Sequence, residues 1–426
     1  MQASSSQLEI RTAVGVSGNP ETVHAARTAC EQCVEGLGGQ SEIDLALVFF
    51  SPHHLTSVSQ LSATIRRRLS PRHVIGVGAE SVIAGSTEYE RAPGVTIMAL
   101  RLPGVTIKPF TSEQFPASDD SAESLFMLRD VIGASEDLRF TLLFADPFSI
   151  PLVRLIPDLN RARVGGNGLV FGGLASAAAT PGGNALFYQD MIVKSGAVGV
   201  SLAGPLRVDA VVSQGCKPFG STHIITRCKG NLIFELGGKP AIEAVQNSLN
   251  EQGDARHRLL AGGLFIGRVI DEYKSRFGRD DFLIRKVIGV RPEEGAIAIA
   301  DFVRVGQTIR LFTRDAVAAD EDLGMLLDQQ KLYSKPKGAL LITCNSRGRR
   351  MFKERHHDAV AVVRAFRGPV AGEELSKPGT PYYGGSPAPD VPLAGFFASG
   401  EIGPVSGNSF VHGQSAAVAL IRTPDS

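Results

Sequence analysis

The feature that most constrains this fold is a structural unit that occurs three times along the chain. Each copy reads as a strand with a polar end, a helix, a second strand and a loop of small residues. The polar ends are Ser51, Asp146 and Cys344. In the first two copies, 25 and 26 residues separate the polar end from a glycine of the second strand, Gly76 or Gly172. The third copy is longer because the Pro/Gly-rich loop 369–390 is inserted. Since ligands of α/β sheets often sit at strand ends, the repeat predicts binding groups at equivalent positions.

Apolar periodicity and turn residues predict the elements of each copy. Strands are predicted at 8–17, 43–51, 73–77, 139–144, 169–171 and 338–343, with a further strand allowed at 361–366. Helices are predicted at 19–36, 55–69, 150–161 and 349–359, and an exposed polar connection at 111–124. Together these elements predict an α/β or α+β fold with mixed, largely antiparallel sheets and outer helices, and an αββα sandwich is the preferred architecture.

Length and charge limit the classes of protein that fit. The 426 residues are enough for more than one domain, expected at 8–250 and 260–423 with the boundary in the charged segment 251–259. With 44 basic and 43 acidic residues the chain has no electrostatic footprint for nucleic acid. Five cysteines, an odd number, favour a reducing compartment over a disulfide framework. No signal peptide or long apolar run is visible, so a soluble cytoplasmic protein without membrane insertion is expected.

One glycine-rich stretch near the C-terminus, residues 391–414, carries a single acid, Glu401, and one histidine, His412. Gly395 and Gly400 allow close backbone approach or positive φ there. A lone carboxylate among small residues is unusual for a plain turn. Glu401 is therefore expected either to contact a ligand amine or to form a structural ion pair with Arg347 or Lys217.

The polar end of the third copy continues as Cys344-Asn345-Ser346-Arg347-Gly348 before a predicted helix. Backbone amides at a helix start favour anions, and an arginine can bind a carboxylate with two parallel hydrogen bonds. A cysteine nucleophile assisted by His412 and Glu401 can also be drawn. The plainer alternative is a small buried cysteine beside a surface arginine.

A second marked turn, Ser213 to Gly220, lies between two predicted strands in the middle of the chain. Gln214 could hydrogen-bond a ligand while Lys217 pairs with an acid, or the segment is a Gly/Pro turn with an exposed lysine. The pair Cys30 and Cys33 lies late in a helix without a second cysteine pair, so no metal site is predicted. No dinucleotide or Walker glycine pattern is present, so no cofactor is predicted.

Taken together, several stretches of this chain resemble the FIST family of sensory proteins, which have a FIST N and a FIST C domain. The matching stretches are F-G-G-L-A-S (171–176), S-Q-G-C-K-P-F-G (213–220), I-T-C-N-S-R-G (342–348), L-A-G-F-F-A-S-G-E-I-G-P (393–404) and H-G-Q-S (412–415). The resemblance implies a ligand-binding sensory or signalling module. Bacterial members are often joined to signalling outputs and are thought to sense small molecules such as amino acids, whereas animal relatives carry an F-box and recognise proteins. We see neither a signalling output nor an F-box-like segment, and the family supplies no catalytic set.

The favoured hypothesis is a soluble sensory protein that binds a small polar ligand, with an amino acid as the candidate, through strand-end loops. Lys217 or Arg347 would take the carboxylate and Glu401 the amine. The predicted ligand-binding residues are Gln214, Lys217, Cys344, Asn345, Arg347, Glu401 and His412, with loop glycines Gly172, Gly173, Gly215, Gly395 and Gly400. Two alternatives stay open, a protein-recognition scaffold that uses the 369–390 loop and a hydrolase that uses Cys344. A protein partner in signalling is expected, but no nucleic acid, metal or cofactor.

Overall fold

The computed structural model describes residues 9–39, 42–253, 262–367 and 391–424. The chain divides into two compact units, the first made of Met1–Val212 with Gly324–Ser426 and the second of Ser213–Leu323. The loop 369–390 and most of the predicted boundary segment 251–259 lie outside the described residues. The predicted domain limits, 8–250 and 260–423, remain a prediction.

The first unit contains three six-stranded sheets with the same layout. The first sheet contains, in spatial order, β1 (Arg11–Ser17), β6 (Val95–Arg101), β2 (Leu45–Phe50), β3 (His73–Gly78), β10 (Leu186–Tyr188) and β11 (Met191–Val193). The second sheet contains β7 (Thr106–Thr111), β12 (Ala197–Ala203), β8 (Leu138–Ala145), β9 (Leu169–Leu174), β23 (Glu401–Val405) and β24 (Asn408–His412). The third sheet contains β13 (Arg207–Ser213), β25 (Ala416–Arg422), β21 (Gly338–Cys344), β22 (Leu393–Ala398), β4 (Val82–Ala84) and β5 (Thr87–Tyr89).

Each of these sheets ends in a hairpin that belongs, along the chain, to another copy of the repeat. The hairpin β4–β5 follows β3 of the first sheet but pairs with β22 of the third. The hairpin β10–β11 follows β9 of the second sheet but pairs with β3 of the first. The hairpin β23–β24 follows β22 of the third sheet but pairs with β9 of the second. The three copies thus exchange hairpins in a cycle.

At the middle of each sheet lies one parallel strand pair, and a glycine marks the same register position in each. The paired residues are Val48 with Gly76, Leu143 with Gly172, and Leu341 with Gly395. A Cβ atom on Gly172 or Gly395 would lie 1.8 Å from the carbonyl oxygen of Leu143 or Leu341. The glycines of the repeat are therefore required by close backbone approach.

Strands buried on both faces separate a shared inner core from outer helices. In β2, Leu45, Leu47 and Phe49 pack into a core that includes residues of all three sheets. Alternate residues of the same strand pack beneath two helices, α1 (Thr22–Gly36) and α2 (Val58–Leu69). Likewise, α3 (Ala122–Ile132) and α4 (Leu152–Ala162) cover the second sheet. At the centre of this core, the rings of Phe49, Phe144 and Phe396 pack together, with centroids 5.3 to 5.7 Å apart.

The second unit is an antiparallel sheet that closes on itself. Its strands are, in spatial order, β14 (Cys216–Lys229), β20 (Thr308–Arg314), β17 (Leu264–Val269), β18 (Phe282–Arg291), β19 (Ala296–Ile299), β15 (Leu232–Leu236) and β16 (Lys239–Pro240). Pairing between β14 and β15 completes a six-stranded ring. Helix α5 (Ala241–Asn250) packs on this ring through Ala244, Val245 and Leu249.

The mixed α/β fold with outer helices is confirmed, while several details differ from the sequence prediction. The described strands form four sheets, whereas the predicted αββα sandwich would consist of one pair of packed sheets. Helix α3 begins inside the segment 111–124, which had been expected to be a connection throughout. Helix α6 (Ala316–Gln330) leads into the third copy. In place of a helix at 349–359 there is a short 3-10 turn, Gly348–Arg350, followed by α7 (His357–Ala365).

The strand allowed at 361–366 is wrong, because residues 361–365 belong to α7. A short apolar run does not distinguish a buried strand from a buried helix, which explains this error. Within the described ranges, no helix is long and apolar enough to span a membrane.

Candidate functional site

The three polar strand ends of the repeat occupy equivalent positions in the structure. All three are buried, and each backbone N–H donates to a carbonyl just before the neighbouring antiparallel strand. The bonds run from Ser51 to Gly94 (2.9 Å), from Asp146 to Gly196 (2.8 Å) and from Cys344 to Ser415 (3.0 Å). The repeat therefore places one polar group at the same end of each sheet, as the sequence pattern predicts.

In the third copy, Arg347 is fully buried and forms an ion pair that the sequence did not indicate. Its Nε and Nη2 atoms donate to the two carboxylate oxygens of Asp358 over 2.7 and 2.8 Å. The Thr343 hydroxyl also donates to Asp358, over 2.7 Å. The guanidinium lies 5.1 Å from the ring centroid of Phe352. Arg347 is thus neither the surface arginine nor an open carboxylate receptor, because a chain carboxylate already occupies its fork.

The charges of this pair stabilise each other. Burial alone would raise the pKa of Asp358, but the Arg347 guanidinium outweighs burial and holds it well below its usual range. Burial likewise opposes the charge on Arg347, and Asp358 together with Glu401 raises the pKa of the guanidinium. Among the described residues, the remaining nitrogen Nη1 of Arg347 has no hydrogen-bond partner. Both groups are accordingly charged, and the Nη1 donor of Arg347 has no acceptor among the described residues.

Glu401 and His412 face each other across the hairpin β23–β24. Glu401 is buried, and its Oε2 accepts hydrogen bonds from the Ser415 backbone N–H (3.0 Å) and hydroxyl (2.7 Å). The Nε2 atom of His412 hydrogen-bonds the Gly403 carbonyl over 3.0 Å. Both predicted binding residues therefore make contacts inside the protein.

The thiol of Cys344 is buried and accepts a hydrogen bond from the Ser346 hydroxyl over 3.2 Å. Burial, followed by the nearby Glu401 charge, raises its pKa to about 11. A nucleophilic cysteine needs a thiolate near neutral pH, so this environment disfavours the hydrolase alternative.

Asn345 lies at the rim of the same cluster. In the orientation that satisfies its amide, the nitrogen donates to the Phe397 carbonyl and to Glu80, each over 3.2 Å. Glu80 also binds Arg350 through two hydrogen bonds of 2.9 and 2.8 Å. This rim is an exposed network of charges above the buried Arg347 pair.

The remaining predicted residues, Gln214, Gly215 and Lys217, belong to the second unit. The Gln214 side chain bridges the backbone of β18, donating to the Phe282 carbonyl and accepting from the Ile284 N–H, both over 2.9 Å. Gly215 has a positive φ of 60°. Lys217 is exposed on β14. Gln214 thus acts as a local backbone clamp.

Two further predicted glycines fill tight positions in the first unit. A Cβ atom on Gly173 would lie 2.8 Å from the Ile342 side chain, and one on Gly400 would lie 2.8 Å from Leu174. Their small size serves packing at the strand ends.

A cleft of about 560 Å³ lies at the strand ends of the second sheet, and no residue predicted from the sequence lines it. It is lined by residues 112, 115–122, 124, 125, 128, 149–151, 154, 155, 158, 161 and 196. These residues follow β7, follow β8 and precede β12. The polar segment 111–124 was the available signal, but its role as one wall depends on packing against α4, which is distant in sequence.

This cleft combines apolar side chains with separated charges. Phe115, Leu125, Leu128, Ile150 and Leu155 supply its apolar surface. Arg161 is engaged by Asp120 over 2.6 Å and also by Asp158. Arg154 is exposed and forms no ion pair with any residue that the structure describes. The backbone N–H of Ser121, followed by the hydroxyls of Ser121 and Ser124, holds the pKa of Asp119 below its usual range, so this carboxylate is ionised.

Comparison with known proteins places these observations in a family. The FIST N domain model matches residues 44–239, and the FIST C domain model matches residues 241–373. An uncharacterized protein of Mycobacterium tuberculosis is 36% identical over 413 residues, which cover 96% of this chain and 99% of that protein. An uncharacterized protein of Mycobacterium bovis is 34% identical over 413 residues, covering 96% and 98%.

A crystal structure of cyanuric acid hydrolase from A. caulinodans aligns with a TM-score of 0.34 and 10% identity, covering 98% of this chain and 100% of that one. Similarity at this level carries no argument about function. The two domain models together match most of the chain. The protein therefore belongs to the FIST family, whose domains are associated with sensory signal transduction and small-ligand binding.

Proposed function

We propose that this protein is a cytoplasmic sensory protein that binds a small zwitterionic ligand, with an amino acid as the candidate, in the cleft of the second sheet. The observation that carries the proposal is the combination of apolar walls with charges of both signs in one cleft of about 560 Å³. Binding sites for small molecules are mostly apolar clefts with a few polar groups that orient the ligand. No disulfide joins any of the five cysteines in the described residues, which is in keeping with a reducing compartment.

The charges available in the cleft match an amino acid. Arg154 has no ion-pair partner among the described residues, and its planar guanidinium suits the ligand carboxylate. Asp119 is ionised and suits the ligand ammonium group. The apolar side chains, Phe115 and Leu155 among them, would contact the ligand side chain.

The sequence-predicted residues of the third copy form a second candidate position for the same ligand. There, however, a ligand carboxylate would have to displace Asp358 from Arg347, and a ligand amine would compete with Ser415 for Glu401. Displacing Asp358 leaves a buried charge without its partner, which costs several kcal/mol. Displacing Ser415 leaves its buried N–H and hydroxyl without this acceptor, which also costs free energy. The cleft needs no such exchange, and we therefore favour it.

Isothermal titration calorimetry with a panel of the common amino acids tests the proposal. For an amino acid that binds, Arg154→Ala should weaken binding by roughly ten- to a hundredfold, since a hydrogen bond to a charged group contributes about 1.5–3 kcal/mol. The matched control is Arg139→Ala, an exposed arginine at the start of β8, which should leave affinity unchanged.

Two outcomes would contradict this assignment. Binding that survives Arg154→Ala unchanged but is lost in Glu401→Gln would move the site to the third copy. If none of the amino acids binds, an amino acid is ruled out as the ligand.

A further inference from the structure

Glu88 links an exchanged hairpin of the third sheet to the start of helix α7. It lies on β5, which reaches this sheet through β4 although its chain neighbours belong to the first copy. Its side chain is buried, with 3% of its surface exposed. Its Oε1 accepts the Ala359 backbone N–H at the start of α7 over 3.0 Å, and its own N–H donates to His356 Nδ1 over 3.0 Å.

Among the described residues, no cation near the Glu88 carboxyl is available as its own counter-ion. The charged and titratable groups that face it are Asp358, Glu90, Arg347 and His356. Arg347 already holds Asp358 through two hydrogen bonds, so its charge is matched. Burial lowers the pKa of His356, which leaves its imidazole neutral at physiological pH. A negative Glu88 would therefore face Asp358 and Glu90 with no cation of its own.

The second carboxyl oxygen of Glu88 also favours the neutral form of the side chain. Glu88 Oε2 is buried and has no hydrogen-bond partner among the described residues, and neither has Arg347 Nη1. Burial first, and the Asp358 charge second, raise the pKa of Glu88 to about 8. A neutral carboxyl is the form that this site accepts at lower cost.

We propose that Glu88 is a proton-operated latch: with its proton the hairpin β4–β5 stays on the third sheet, and without the proton the hairpin loosens. The loop that precedes this hairpin is part of the strand-end region. The Ser81 carbonyl accepts the Phe397 N–H over 3.0 Å, and Glu80 binds Arg350. Release of the hairpin thus alters the exposed charge network at the end of the third sheet. The latch is independent of the proposed ligand site, because Glu88 does not line the cleft.

The sign of the pH effect follows from linkage. Below the ordinary value of 4.5, Glu88 is protonated whether or not the hairpin is docked. Between that value and about 8, only the docked hairpin keeps the proton, so opening becomes more favourable by up to about tenfold per pH unit. Above this range the effect levels off. Docking is therefore strongest in mild acid and is lost as the pH rises.

Hydrogen exchange measured by mass spectrometry on the full chain tests the latch, at about pH 5.5 and about pH 7.5. After correction for the intrinsic exchange rate, opening of residues 82–89 should rise at least about tenfold at the higher pH in the wild-type protein. In Glu88→Gln the opening should be the same at both values. Strand β12 is the internal control, because it carries no titratable side chain.

Three results would overturn the proposal. The first is a wild-type hairpin whose corrected opening does not change with pH. The second is a pH effect that persists in Glu88→Gln. The third is an equal loss of protection in β12, which would mean that the change is not local to the hairpin.

Discussion

Substitution of Arg347 by methionine should destabilise the first unit strongly, because it removes one partner of a fully buried ion pair. The guanidinium is inaccessible and donates two hydrogen bonds to Asp358, which is 1% exposed. Methionine keeps much of the apolar stem but leaves the carboxylate without its cation. Breaking a buried pair in this way costs about 3–5 kcal/mol. We expect the free energy of unfolding to fall by that amount.

Chemical denaturation followed by far-UV circular dichroism is the suitable assay, since the chain lacks tryptophan. The double variant Arg347→Met with Asp358→Leu removes both charges, and it should recover a large part of the loss. A loss below about 1 kcal/mol in the single variant would refute the structural role of the pair, and Arg347 would return as a candidate ligand contact.

The same pair predicts a pH dependence of defined sign. Because the pKa of Asp358 is lowered on folding, the stability it supplies is present above its ordinary value of 3.8 and is lost as the pH falls. Wild-type protein should therefore lose stability in acid below about pH 4, and Arg347→Met should show a smaller loss there. Equal acid sensitivity in the two proteins would contradict this reasoning.

Two further predictions concern the strand ends. Cys344 should react slowly with a thiol-directed probe at neutral pH, since its pKa is raised to about 11; rapid labelling that depends on His412 would instead revive the hydrolase alternative. Gly395→Ala should cost several kcal/mol in denaturation, since its Cβ would lie 1.8 Å from the Leu341 carbonyl oxygen. Gly324→Ala, on an open face of α6, should instead stabilise by about 0.5–1 kcal/mol, and a similar effect at both glycines would contradict the packing argument.

Much of the architecture can be predicted from local patterns of the sequence. Buried strands such as β2, the helices that follow them and the glycines of the parallel pairs all leave short-range signals. Helix α3 was missed although Ser121 caps its start and Gly133 its end, because the preceding acidic residues resemble an exposed connection. Helix α7 was misplaced because the apolar run from Ala361 fits a strand as well as a buried helix.

The candidate sites were harder to predict because they depend on contacts that no local pattern of the sequence indicates. Asp358 gives no local sign that it will meet Arg347, and Glu88 lies 271 positions from Ala359, whose N–H it accepts. The cleft likewise joins the segment after β7 to α4. The predicted set of ligand residues, Arg347 and Glu401 foremost, therefore remains a prediction that the binding experiments decide.

The cyclic exchange of hairpins also affects how such a chain can be made. Ile83 of β4 pairs with Gly395, so β4 is synthesised long before its partner strand. Likewise, Gly173 of β9 pairs with Glu401, which is synthesised long after it. The first unit is thus expected to fold late and as a whole, because each copy of the repeat supplies a hairpin that pairs with the sheet of another copy. Deletion of β23, β24 and β25 should leave β9 and β21 as open sheet edges, which are exposed strands of the kind that lead to aggregation.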